Sequence, residues 1–356
     1  MVNLFGNRPP IIQNASYLRA MRRTLPSVDQ FVQGIRSGDR VLLGQAITLV
    51  ESMRAEHSEL AQQVIARLLA DMPANSAPTL RIGITGAPGV GKSTLIEALG
   101  LLLIEEGYKV AVLAIDPTSA LSKGSILGDK TRMERLSADE RAFIRPSPSG
   151  DSLGGVARKT RESILLVEAA GYDMVLIETV GVGQSEIAVH SMTDLFLLLL
   201  LPGAGDELQG IKRGIVEMAD LLAVTKSDGD RVKLANQARA YYLNATHLLP
   251  PSPSGWTPQV LTCSAEHHHG IDGLWAAIQA FRAHISANGF LEHNRQQQAR
   301  YWLKESLEND LKIFFYSQQA VQEKYKSLEK QVLEGRMSPF AAAQEILNVF
   351  DFYKYR

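Results

Sequence analysis

Residues 83–94 read GITGAPGVGKST, and this stretch decides the fold. Gly86, Gly91, Lys92 and Ser93 occupy every fixed position of the phosphate-binding loop pattern. The apolar run LRIGIT leads into it and an amphipathic helical pattern leads out, which is the context the pattern requires. Glycines let the backbone turn until successive N–H groups face a phosphate, and the next helix opens with its positive dipole end at the same point. Lys92 then reaches the terminal phosphates and Ser93 supplies a hydroxyl to Mg2+. Gly86, Ala87, Pro88, Gly89, Val90, Gly91, Lys92, Ser93 and Thr94 together form the expected cradle.

Outward from this loop, short apolar runs alternate with longer helical patterns: LRIGIT, KVAVLAI, AFIRP, DMVLIE, LFLLLLL, LLAVT and QVLTC, between Leu80 and about Ala287. Such alternation predicts βαβ units. The expected fold is therefore α/β, a P-loop NTPase whose mainly parallel central sheet is flanked by helices, with helical extensions at both ends. From about 27 to 72, Val41, Leu42, Ala46, Ile47, Val50, Leu60, Val64 and Leu68 return at helical spacing before the breaker-rich stretch PANSAP. After 290, Leu303, Leu307, Leu311 and Phe315 recur every fourth residue on a charged background. Gly335 should stop that helix, and Ser338-Pro339 should start a last short one. A long apolar-striped helix needs something to cover it, either its own sheet or a second subunit.

Ligands of open parallel sheets lie outside the carboxyl ends of the strands. Asp116 ends the second run and is aimed at the phosphates, while Asp129, in GSILGDKTRM, either swings toward the metal or caps a helix starting at Lys130. Glu178 ends the fourth run in IETVGVGQSE, where phosphate-loop enzymes place a carboxylate that holds Mg2+ or its water. Gly181 offers a backbone N–H that can approach a γ-phosphate closely. Glutamate is a methylene longer than aspartate, so Glu178 acts either on the metal or on the attacking water.

The sixth run leads into TKSD and the seventh into CSA, which look like guanine-recognition elements. Asp228 can accept from guanine's ring N–H and its amine together, a donor pair adenine lacks, so GTP and GDP are favoured over adenine nucleotides. Lys226 can lay its stem along the base, and the loop at Ser264 and Ala265 can present an N–H to the guanine carbonyl. Thr225 stands where the usual N-K-x-D has asparagine; it keeps one hydroxyl but loses the amide's reach, which puts the brace to the phosphate loop in question.

A chain of 356 residues, 45% apolar and with a formal net charge of −1, fits a soluble globular protein without a broad nucleic-acid surface. The lone Cys263 excludes an internal disulfide framework and fits a reducing, cytoplasmic setting. The longest apolar run, Leu195 to Leu201, is far shorter than the roughly 20 residues that span a membrane. Four arginines and no acid mark residues 1–28; with Pro9, Pro10 and Pro26 they read as a flexible arm rather than a targeting helix.

Four stretches, GAPGVGKST, SILGDKTRM, ETVGVGQSE and GDELQGIKRGIVEMADLLAVTKSD, with GDRVLLGQAITLVES upstream, resemble the MeaB/ArgK family of G-protein chaperones serving adenosylcobalamin-dependent methylmalonyl-CoA mutase. The resemblance implies a GTPase of the signal-recognition/MinD-like class that gates cofactor loading and protects or reactivates the mutase, or a related acyl-CoA mutase. It also implies a homodimer built with the C-terminal arm. The division expected is an N-terminal arm and helical segment over 1–78, a GTPase domain over 79–288 and a dimerisation arm over 289–356. Lys92, Ser93, Asp116, Asp129 and Glu178 would serve phosphate, metal and water. Asp206, Glu207, Gln209 and Lys212 would couple nucleotide state to the mutase. Gln184 lies beyond the position adjacent to Gly181, so turnover should be slow alone and rise when the mutase docks. No D-x-H-x-x-G cobalamin motif is present.

Two other readings compete. A metallochaperone GTPase draws only on EHHHG at His267 to His269, and three adjacent histidines cannot all face one metal from one strand or helix face. A transport-linked ATPase or kinase lacks a protein-kinase motif set and a transmembrane signature. PPSPSGW, residues 250–256, reads as a loop with Trp256 packing locally, while Trp275 and Trp302 read as core or interface.

Overall fold

The seven apolar runs form seven strands in the computed structural model, which describes residues 25–71, 78–115, 133–146, 153–179, 185–203 and 213–349. The strands are β1 (Leu80–Gly86), β2 (Val110–Ile115), β3 (Ala142–Arg145), β4 (Met174–Thr179), β5 (Leu195–Leu200), β6 (Leu221–Val224) and β7 (Gln259–Thr262). They pair in the order β3-β2-β4-β1-β5-β6-β7, every pair parallel. The five inner strands β2, β4, β1, β5 and β6 are buried along almost their whole length, which is why they read as continuous apolar runs. Alternate residues serve opposite faces: Leu195, Leu197 and Leu199 enter one cluster, and Phe196, Leu198 and Leu200 the other.

Helix α4 (Lys92–Glu105) and the later α10 (Ile271–Ala287) cover the first of these faces. Leu95, Leu99 and Leu103 of α4 and Leu274, Ile278 and Phe281 of α10 pack there. The other face carries α6 (Leu153–Ala169), α7 (Ser185–His190), α8 (Arg213–Met218) and α9 (Val232–Thr246); short α5 (Glu134–Ala138) precedes β3. Outside α6 lie the N-terminal helices α1 (Val28–Arg36), α2 (Arg40–Glu51) and α3 (Ala55–Ala70). Ser27 and Gln30 close a capping box at α1, and Phe31, Ile35, Ile47, Val64 and Leu68 share one buried cluster with Val156, Ile164 and Val167 of α6. Val41, expected on the apolar face, is exposed instead.

The C-terminal helix differs from its expectation. It breaks at Gln318 (φ −69°, ψ 127°) into α11 (Phe290–Ser317) and α12 (Gln319–Leu333), followed by α13 (Pro339–Val349). The break lets α12 and α13 form a hairpin whose Val321, Leu328, Ala342 and Ile346 pack with Phe315. Gly335 (φ 70°) does follow the end of α12, and Ser338 Oγ accepts from Ala341 N. Leu303, Leu307 and Leu311 are 73, 58 and 56% exposed, so their stripe does not fold back onto the sheet of its own chain. The base of α11 is instead held by polar bonds: Arg295 to Asp194, Gln298 Nε2 to Thr193 O (2.7 Å) and Trp302 Nε1 to Ser191 O (2.9 Å). The Arg81 and Arg161 guanidinium groups lie over the Trp302 ring at 5.7 and 5.5 Å.

Candidate functional site

The phosphate loop leaves β1 at Gly86, where the chain passes so close to β5 that a Cβ would stand 2.7 Å from Leu199 O. Gly91, at φ 99°, is the N-cap of α4 and makes no side-chain cap bond, so the opening of the helix keeps its N–H groups directed out of the sheet. Ala87, Pro88, Gly89 and Thr94 are exposed, while Val90 is buried and anchors the loop to the core. Lys92, the first helical residue, folds back so that Nζ donates to Gly86 O (2.9 Å) and Ala87 O (3.2 Å). Burial pulls its ammonium below the ordinary lysine value, with Glu178 and Glu186 opposing that shift. An ammonium held in that state gains by moving onto an anionic phosphate.

Glu178 is the penultimate residue of β4, paired in register with Ile84 of β1, and it is buried. Ser93 Oγ donates to Glu178 Oε1 at 3.1 Å. Two hard oxygen donors from different elements thus meet beside Lys92, and this donor set fits Mg2+, which takes carboxylate and hydroxyl oxygens alongside substrate phosphates. Below them, the buried hydroxyls of Thr85 and Thr179 bond at 2.9 Å and tie β1 to β4. Asp116, Asp129, Gly181, Gln184, Asp206, Glu207, Gln209 and Lys212 lie outside the described residues.

Thr225 corrects the expectation of a doubtful brace. Its buried hydroxyl donates to Val90 O at 2.7 Å, with Leu200 O at 3.2 Å, so the loop after β6 is tied directly to the phosphate loop. The backbone approaches closely enough here that a hydroxyl spans the gap without an amide's extra length. Lys226 then adopts φ 53°, a left-handed conformation uncommon for a side-chain-bearing residue. Ser227 N donates to Cys263 O (3.0 Å), joining this loop to the one after β7, and Ser264 Oγ donates to Asp228 Oδ2 at 2.6 Å. The Asp228 carboxylate is thereby oriented by a hydroxyl. Ser264 N is itself bonded to His269 O (2.9 Å), which leaves Ala265 as the residue of that pair with an N–H to offer a base.

The histidine run closes that same turn: His269 N returns a bond to Ser264 O (3.0 Å), and His267, His268 and His269 are exposed. Among the described residues no group of three His, Cys, Asp or Glu side chains is placed to hold a metal ion. No helix among them is long and apolar enough to cross a membrane. Trp256 donates Nε1 to Asp220 O and meets Phe281 edge to face at 5.4 Å, Trp275 is buried against Tyr108, and Trp302 sits at the base of α11.

Sequence reasoning missed three contributors to the site. Glu186 acts on Lys92 electrostatically and is present in the quoted GVGQSE, but spacing alone does not aim it there. The Thr85–Thr179 pair has no periodic signal, since its partners are 94 residues apart. The use of Ser264 as orienter of Asp228 appears only once β6 and β7 lie side by side.

Residues 43–320 match the family model described as Methylmalonyl Co-A mutase-associated GTPase MeaB. A relative from Caulobacter vibrioides called a putative GTPase is 51% identical over 323 residues, covering 91% of this chain and 98% of its own. The mouse protein called methylmalonic aciduria type A homolog, mitochondrial, is 46% identical over 329 residues, 91% of this chain and 79% of its own. Among solved structures, one called a LAO/AO transport system kinase shares 38% identity at a TM-score of 0.70, over 91% of this chain and 99% of that one.

Proposed function

This chain belongs to the family of methylmalonyl-CoA mutase-associated GTPases, and from that premise we propose that it is a chaperone coupling GTP binding and hydrolysis to adenosylcobalamin loading, protection and reactivation of methylmalonyl-CoA mutase or a related acyl-CoA mutase. One observation carries the reading: the Thr225–Val90 bond joins a phosphate end, with Lys92, Ser93 and Glu178 together, to a base end in which Ser264 orients Asp228. In this reading Lys92 leaves the Gly86 and Ala87 carbonyls for the β- and γ-phosphates. The N–H groups at the opening of α4 and of Gly181 hold the phosphate oxygens. Asp228 accepts from guanine's ring N–H and amine, Lys226 flanks the base, and Ala265 N–H meets the guanine carbonyl.

Ser93, Asp116 and Asp129 are the residues that would ligate Mg2+, which when bound neutralises charge developing on the phosphates. Glu178, receiving the Ser93 hydroxyl, orients the attacking water. Asp206, Glu207, Gln209 and Lys212 are the segment assigned to reporting nucleotide state to the mutase. The exposed stripe of Leu303, Leu307 and Leu311 supports residues 289–356 as a homodimerisation arm, because isologous pairing of two such stripes buries them. The buried Cys263 fits a reducing, cytoplasmic setting.

The test is GTP hydrolysis by the purified chain with and without its cognate mutase. We expect slow turnover alone and acceleration on docking; equal rates would remove the coupling, and tighter ATP than GTP binding would remove the guanine assignment and favour a kinase-like reading. Sedimentation of the full chain against a Leu307→Lys variant tests the arm, with a dimer expected only for the former.

A further inference from the structure

At the end of the sheet opposite the phosphate loop, three strands begin with the same device. Asp173, Asp194 and Asp220 immediately precede β4, β5 and β6, and each carboxylate accepts a backbone N–H at the start of the neighbouring strand: Lys109, just before β2, at 2.8 Å, Arg81 of β1 at 2.9 Å and Phe196 of β5 at 2.9 Å. Each aspartate's own N–H returns a bond to the carbonyl of that same residue, at 2.9, 2.8 and 3.0 Å. The clamp is identical, but the three charges are treated differently. Asp173 is exposed to water. The Asp194 side chain is fully buried and is matched by Arg295, at 2.7 and 2.9 Å. Asp220 meets no Lys, Arg or His among the described residues, and its single recorded side-chain partner is the Phe196 N–H.

What Asp220 faces is a cavity of about 670 Å3, a volume typical of small-molecule sites. It lies between the starts of β5 and β6, the end of α7, the 249–258 connection that contains PPSPSGW, and the first turns of α11. Phe196, Trp256 and Phe290 are among the residues that line it, with His190, His247 and His293; Asp194, Glu217 and Asp220 are its acidic residues, Asp194 already paired with Arg295, and no lysine or arginine lines it. Burial pushes the Asp220 carboxyl up to about 7, only partly offset by the Phe196 N–H, which is the cost of a carboxylate without a counterion.

We propose that this cavity binds a small organic cation, an ammonium or amidinium on an apolar body, with Asp220 as its ion-pair partner and the Phe196, Trp256 and Phe290 rings as its walls. The ligand's cation supplies at Asp220 what Arg295 supplies at Asp194. Aromatic faces favour a cation held over them, and a charged N–H···carboxylate bond is the strongest hydrogen bond the lining can make. The site is separate from the nucleotide site and does not depend on the chaperone reading.

Benzamidinium and its neutral near-isostere benzamide serve as probes in calorimetric titrations of the full chain. Benzamidinium should bind once per chain and at least about tenfold more tightly than benzamide, the size of one good charged contact. Binding should change the fluorescence of Trp256, a signal that Trp256→Phe removes. Asp220→Asn keeps an oxygen for the Phe196 N–H and should lower benzamidinium affinity to that of benzamide while GTP affinity stays the same. Equal affinity of the two probes for the unmodified chain overturns the proposal without reference to any variant. So does benzamidinium binding that Asp220→Asn leaves unchanged, or that leaves Trp256 fluorescence unaltered.

Discussion

Replacing Thr225 by valine keeps the side chain's shape and β-branching but removes the one hydroxyl that crosses from the loop after β6 to the phosphate loop. That hydroxyl is buried, with Thr225 only 4% exposed, and reaches Val90 O at 2.7 Å. Deleting the donor strips a buried carbonyl of its side-chain partner, at about 1–3 kcal/mol. For a domain of about 150–250 residues, each kcal/mol lowers Tm by roughly 2–4 °C, so Thr225→Val should melt about 2–12 °C below the parent. The bond joins the loop carrying Lys92 to the loop carrying Asp228, so the same energy bounds the loss of nucleotide affinity at roughly 5- to 150-fold. Melting curves and GDP titrations should be run beside Thr225→Ser, which keeps the hydroxyl and loses only a methyl. If the valine and serine variants match in both measurements, the hydroxyl is not a brace and the argument from Val90 fails.

Four further outcomes follow from the same geometry. Glu178→Gln should bind Mg2+·GTP within about threefold of the parent and hydrolyse it at least about a hundredfold more slowly, as expected for a residue acting on water; lost Mg2+ affinity with intact turnover at saturating Mg2+ would move Glu178 to the metal. Asp228→Asn retains one acceptor and loses the charge, so GTP affinity should fall roughly 10- to 150-fold, from about 1.5–3 kcal/mol per charged bond, while weak ATP binding is unchanged; equal losses for both nucleotides would argue against base recognition. Arg295→Met leaves the fully buried Asp194 carboxylate unmatched and should cost about 3–5 kcal/mol in urea unfolding, partly recovered by adding Asp194→Asn; a loss under about 1 kcal/mol would contradict the pairing. Burial pushes the Cys263 thiol up to about 12, whereas an unfolded thiol titrates near 8.5. The unfolded chain therefore releases the proton first, and this group's contribution to stability declines as pH rises from about 8.5 toward 12. Cys263→Ala should lose stability less steeply between about pH 8.5 and 10.5, and parallel slopes would clear the thiol.

Much of the architecture is legible locally because the signals are local. A strand buried on both faces must be apolar throughout, so VAVLAI and LFLLLL announce themselves, and only a glycine lets β1 pass Leu199 O where the phosphate loop begins. Helix 290–335 was legible as helix and not as two helices, since Gln318 is no breaker; the hairpin of α12 on α13 is what holds its extended backbone. The exposed leucines of α11 follow the pattern of a core-facing stripe, and periodicity cannot say that they stand exposed among the described residues.

The sequence by itself determined the phosphate loop, the seven strands, the helical ends and the positions of Lys92 and Ser93 at the start of a helix, Glu178 at the end of a strand and Asp228 in the loop beyond one, because each depends on neighbours a few residues away. Tertiary structure alone decided the order β3-β2-β4-β1-β5-β6-β7, the reach of the Thr225 hydroxyl to Val90 O and the grip of Ser264 on Asp228. It also decided the fate of three aspartates that look alike in YDM, TDL and ADL. Whether a carboxylate meets water, an arginine 101 residues away or an aromatic cavity is set by which distant elements pack against it, and the energy of a charge depends on that surrounding rather than on its place in the chain.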